Sequence, residues 1–98
     1  MRIFISQPMN GKSDEEILEE RNTAIRHIKT MYPDAYIIDS FFQEYTPCNG
    51  NTGLLFLSKS LSLMAEADAA YFVDGWESAR GCRIEHECCE AYGITCID

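Results

Sequence analysis

The sequence predicts an α/β domain, a small flavodoxin-like or Rossmann-like three-layer sandwich around a mainly parallel four-stranded sheet. Three observations predict it. Short apolar, β-rich runs alternate with helical patterns in the order β-α-β-loop-α-β-α-β. The segments between strands are long enough for crossover connections, which are right-handed and place helices on both faces of a parallel sheet. The 98 residues, 46% of them hydrophobic, suit a single domain over 1–98 with a modest core and exclude wholesale disorder.

Arg2-Ile3-Phe4-Ile5-Ser6 is the first strand, and Gln7 to Lys12, with Pro8 and Gly11, reads as a loop. Ser13 and Glu16 have the spacing of a capping box, and Asp14, Glu15, Glu16, Glu19 and Glu20 complement the positive end of the helix that follows. Ile17, Arg21, Ala24, Ile25, Ile28 and Met31 form its inner stripe, and Pro33 stops it. Ala35 to Asp39 is the second strand. Phe41 to Gly53 reads as a long loop broken by Pro47, Gly50 and Gly53, and a loop of that length in so small a domain is usually functional. Leu54 to Glu66 is the second helix, with Leu54, Leu57, Leu61 and Met64 as its stripe. Ala69 to Val73 is a buried third strand. The loop Asp74 to Gly81 leads into a helix from about Cys82 to Tyr92, capped by Gly93, and Ile94 to Ile97 is the fourth strand.

Composition narrows the function classes. Eight basic residues against sixteen acidic ones give a net charge of -8, which opposes binding to a nucleic acid polymer because that affinity rests on Lys and Arg neutralising phosphates. One small nucleotide needs only a few local donors and stays compatible. No apolar run approaches the roughly 20 residues that cross a bilayer, so no membrane association is expected. Met1 leads straight into a strand with no signal peptide, and the five cysteines form no CxxC pair, which together point to a reduced, cytoplasmic setting.

Ligands of such sheets collect outside the C-terminal strand ends, where the loops Gln7 to Lys12, Phe41 to Gly53 and Asp74 to Gly81 meet. Ser6, Gln7, Asn10, Gly11 and Lys12 precede a helix N-terminus, whose free N–H groups suit an anion such as phosphate; their plain structural role is a turn with one solvated charge. In the stretch DGWESARGCRIEHE, Gly81 allows a tight turn, and Glu85 falls about one helical turn later, able to face the crevice. A carboxylate there can act as a nucleophile or a base, and a place near the helix N-terminus favours its ionised form. The alternative is a surface glutamate paired with Arg80 or Arg83. Asp74, at a strand end, suits a sugar hydroxyl or an attacking water; Asp68, opening the buried strand, is a cap or a ligand group. Cys82, His86 and Cys89 share a helix face that Cys48 could complete as a zinc site, but zinc sites rarely draw three ligands from one uninterrupted helix, so no metal is expected. Cys82 is the one thiol with an activating field, and it lacks His and acid partners. Phe41, Phe42, Tyr45 and Trp76 could stack on a planar base or cover a core.

Taken together, IFISQPMNG, AEADAAYFVDGW and GCRIEHECCEAYG resemble the nucleoside 2-deoxyribosyltransferase-like family, which includes deoxynucleoside 5'-monophosphate N-glycosidases and many short phage and bacterial proteins. The resemblance runs in order along almost the whole chain. It implies a flavodoxin-like fold and a deoxyribosyl site in which Glu85, four residues after Gly81, attacks the anomeric carbon; no cofactor is expected. It further implies that Asp68 acts near the leaving base; Asp74, from its place at the strand end, is expected to assist. Ser6 to Lys12 and Arg80 would hold a 5'-phosphate, Ser78 the sugar or phosphate, and a homo-oligomer would complete the pocket. Two positions depart from the family: Phe4 stands where a tyrosine is common, and Ala79 where an Asp or Ser often holds the sugar. The expected function is cleavage or transfer of the N-glycosidic bond of a small-molecule nucleoside or nucleotide. The alternative is a binding protein for a nucleotide or an ADP-ribose-type signal, without turnover.

Overall fold

The computed structural model describes residues 1–40 and 50–97. Along them run strand β1 (Arg2–Ser6), helix α1 (Asp14–Met31), strand β2 (Tyr36–Ile37), helix α2 (Thr52–Met64), strand β3 (Ala69–Phe72), helix α3 (Arg80–Tyr92) and strand β4 (Thr95–Ile97). The sheet order is β2-β1-β3-β4 and every pairing is parallel. The expected α/β architecture is therefore present.

β1 sits inside the sheet because its residues suit burial on both faces, as an unbroken apolar run in a parallel strand does. Ile3 and Ile5 point toward Ala24 and Ile28 of α1, whereas Phe4 points the other way, into a cluster with Met64 of α2, Phe72 and Cys89 of α3. These two clusters define three layers, with α1 on one face and α2 and α3 on the other. The chain leaves β1 toward β2 on one side and returns to β3 on the other. The crevice at that reversal lies between the C-terminal ends of β1 and β3.

The capping box of α1 forms as expected: Glu16 N–H donates to the Ser13 hydroxyl at 3.2 Å, and the Glu16 carboxylate accepts from Ser13 N–H at 3.4 Å. Elsewhere the boundaries differ. β2 has two residues rather than five, although Ile38 N–H still reaches Ile3 O at 2.9 Å. Arg21, a charge on the inner face of α1, takes the Ile38 carbonyl at 2.9 Å and the Ser40 hydroxyl at 3.1 Å, and the edge strand goes no further. α2 starts two residues early because Asn51 caps it, accepting from Leu54 N–H at 2.9 Å, so Gly53 lies in its first turn and is no loop breaker. Leu54, expected on the buried stripe, is 63% exposed. α3 likewise starts at Arg80. The turn after β3 is made by Gly75, in the left-handed region at φ 91°, and a 3-10 turn over Trp76–Ser78; Gly81 is an ordinary helical residue. The expected loop residues 41–49, with Phe41, Phe42, Tyr45 and Cys48, lie outside the described residues.

Arg21 is buried with its guanidinium on the Ile38 carbonyl and the Ser40 hydroxyl, and burial holds it below the usual arginine range despite nearby Asp39. An Arg21→Met protein keeps the apolar stem and strands the Ile38 carbonyl, at a cost of about 2 kcal/mol for an unsatisfied buried acceptor. Urea unfolding is expected to show a lower midpoint with an unchanged slope; an unshifted midpoint would refute the assignment.

Candidate functional site

Ser6 and Glu85 are 79 residues apart in the chain and meet at the crevice. Ser6 ends β1 on the same side of the sheet as Phe4, since residues two apart in a strand share a face. Cys82, Glu85 and Cys89 are the buried face of α3. The Ser6 hydroxyl donates to Glu85 Oε1 at 2.7 Å, with Ser6 1% and Glu85 6% exposed. Glu85 forms no ion pair with a described residue, so it is not the surface pair with Arg80 or Arg83. It borders a cavity of about 910 Å³.

Burial raises the Glu85 carboxyl to about 7, against the pull of the Ser6 hydrogen bond. This reverses the expectation that the helix N-terminus would keep it ionised. The helix field falls off within the first turn, and Glu85 is the sixth residue of α3, where desolvation prevails.

The cavity gathers most of the residues expected at the site. Gln7, Asn10 and Lys12 line it from the β1 loop; Asp74, Ser78, Arg80, Gly81 and Glu85 line it from the β3 loop and α3. Their individual states differ from expectation. Ser6 lies under Glu85 and touches no ligand space. Gly11 shapes the loop at φ 79° and is absent from the wall. The Lys12 ammonium is held by both Glu20 oxygens, at 2.7 and 2.9 Å. Arg80 has no ion pair among the described residues. Its guanidinium lies over the first turn of α2, where a Cβ on Gly53 would stand 3.5 Å from Nη2. Two helix N-termini and one guanidinium thus face the same space, an arrangement suited to an anion. Gln7 donates through Nε2 to the Ile17 carbonyl at 2.6 Å, which fixes its amide orientation, and leaves Oε1 as a buried acceptor without a partner.

Two residues need correction. Asp68 opens β3 at the opposite edge of the sheet, where its Oδ2 accepts from the Arg2 backbone N–H at 2.7 Å. Six residues of chain at ~3.3 Å each separate it from Asp74 by up to roughly 20 Å, so within one chain it stands away from the cavity that Glu85 borders. Trp76 is likewise absent from the cavity wall. Its ring stacks on His86 at 4.2 Å and 10°, and lies against Phe72 at 5.3 Å.

The one-face pattern of Cys82, His86 and Cys89 divides into separate roles. His86 is stacked on Trp76 with Nδ1 3.2 Å from Glu90. Burial pushes the Cys82 thiol up to about 11 and the Cys89 thiol up to about 12, so both are neutral packing groups. Among the described residues no three His, Cys, Asp or Glu side chains come together in a metal-holding group. Nor is any helix among them long and apolar enough to cross a membrane.

Sequence reasoning missed the wall contributed by Ser40, Asn51, Leu54, Phe56 and Leu57. The available signal was the surplus of apolar residues in TGLLFLSKSLSLM, which exceeds what one buried stripe uses. No family model, curated protein or solved structure matches the chain.

Proposed function

We propose that this protein cleaves or transfers the N-glycosidic bond of a 2-deoxynucleoside or its 5'-monophosphate, with Glu85 as nucleophile, as its resemblance to the nucleoside 2-deoxyribosyltransferase-like family implies. The observation that carries the reading is a buried, hydroxyl-held carboxylate bordering a cavity with room for a nucleotide at the strand-order reversal. Breaking an N-glycosidic bond develops positive charge at the anomeric carbon, which a carboxylate stabilises and can trap as a glycosyl ester. A carboxyl titrating near 7 is partly ionised at neutral pH and needs no other group to activate it. Asp74 is positioned at the rim to assist the departing base or an incoming water. Arg80 and the first turns of α2 and α3 suit a 5'-phosphate. The homo-oligomer is part of the same proposal.

A second reading, a nucleotide or ADP-ribose-type signal binder without turnover, is favoured by one observation: Asp68 stands away from the cavity, leaving Asp74 as the one carboxylate beside Glu85 on the cavity wall among the described residues. Incubation with deoxynucleosides and their 5'-monophosphates separates the two. Free base from the parent, and a loss of at least about a thousandfold in Glu85→Gln, is the expected result for a missing nucleophile. Nucleotides that raise the melting temperature with no base release would instead establish the binder.

A further inference from the structure

We infer that Ser6 is the positioning residue for Glu85: its hydroxyl fixes which carboxylate oxygen is free to face the cavity and steadies the negative charge on the pair. The catalytic consequence rests on the proposed reading of Glu85; the electrostatic one stands without it.

Ser6 is held rigidly. Its Cα pairs with Phe72 in the sheet interior, its carbonyl accepts from Val73 N–H at 3.0 Å, and its side chain is 1% exposed. An ionised carboxylate only accepts, so the single hydroxyl proton must be the donated one in the 2.7 Å contact with Oε1. Oε2 is then left for the ligand. Among the described residues the charged or titratable groups around the pair are few. Lys12 is committed to Glu20, Cys82, whose thiol also meets the Ser6 hydroxyl, and Cys89 are neutral thiols on the same helix face, and Arg80 and Asp74 line the same cavity. A hydrogen bond to a charged group in such surroundings counts for more than one between neutral groups.

In the reaction, Oε2 forms a bond to the anomeric carbon as the carbon–nitrogen bond breaks. The electron pair leaves with the base, which takes a proton from water. Oε1 becomes the carbonyl of the glycosyl ester and keeps its Ser6 donor. Water then attacks the same carbon, the carbon–Oε2 pair returns to Glu85, and the surplus proton passes to solvent. Ser6 meets the carboxylate charge at the start of the first step and again as it reappears in the second.

Carboxyl carbon NMR of the whole chain tests this by titrating Glu85 in the parent, Ser6→Ala and Ser6→Thr. The alanine protein is expected to be at least about tenfold weaker as an acid at Glu85, with its midpoint displaced upward. Threonine, which restores the hydroxyl, is expected to return the midpoint to that of the parent. An unmoved midpoint in a folded Ser6→Ala protein overturns the inference, whatever the protein's activity. Where base is released, the acid limb of the rate profile should move up with the midpoint. A uniform loss at every pH would mark Ser6 as merely structural. A parent that titrates as expected and releases no base would sink the nucleosidase reading while leaving Ser6 in its role.

Discussion

A Glu85→Gln protein is expected to melt well above the parent at pH 8 and together with it at pH 4. Glutamine keeps the shape and can still accept from the Ser6 hydroxyl through its amide oxygen. The difference is charge. In the folded chain the carboxyl titrates near 7 instead of its ordinary 4.5, because burial penalises the ionised form. An acid whose folded value is raised binds its proton more tightly in the native state. Its contribution is therefore fully present below about pH 4.5 and lost as pH climbs through the interval to about 7. That interval corresponds to roughly 3 kcal/mol, and for a domain of this size to a melting difference on the order of 10 °C. Thermal unfolding of both proteins from pH 4 to pH 8 checks it through the gap between the curves. A constant gap, or one that opens toward acid, would show that Glu85 is not buried as described. A gap that opens toward alkali, as expected, would mean that the proposed nucleophile is kept at a cost to stability.

Phe72→Ala is expected to lower stability by about 3–5 kcal/mol, with no pH dependence of its own. Phe72 is 2% exposed in β3, and its ring meets His86 at 4.7 Å and Trp76 at 5.3 Å. Removing it leaves a void beneath the helix that carries Glu85 and deprives the Trp76–His86 stack of its floor. Against a total of about 5–15 kcal/mol for a domain of this length, the loss is large enough to leave a measurable unfolded fraction at room temperature. Chemical denaturation at pH 4 and pH 8 should give the same decrement at both. A decrement below 1 kcal/mol would mean that the apolar cluster between sheet, α2 and α3 is not the packed core described.

Local chemistry was legible wherever a feature depends on neighbours in the chain. The Ser13–Glu16 capping box, the Gly93 helix end and the unbroken apolar run of β1 each follow from spacing and residue type, and each is present. The approximate place of the cavity was legible too, because alternating strands and helices bring their C-terminal loops to one edge. Boundaries were less so. Asn51 caps α2 ahead of a glycine that reads as a breaker, and Arg21 of α1 takes the Ile38 carbonyl just past β2, a contact between residues distant in sequence at the point where the strand ends.

The sequence by itself determined the layers, the sheet type and the edge at which loops converge, since these follow from hydrophobic periodicity and chain connectivity. Only the tertiary structure decided which side chains share a space. Asp68 and Asp74 bracket the same strand, and the family resemblance draws Asp68 into the site, yet the strand sets the two at opposite ends and Asp68 bonds the Arg2 backbone instead. Glu85 looks like a helix-start carboxylate favoured as an anion, yet the sheet packed behind it desolvates it and Ser6 donates a hydrogen bond to it. Burial and through-space contact are properties of the packed chain, and they set the charge of a group more strongly than its place along a helix.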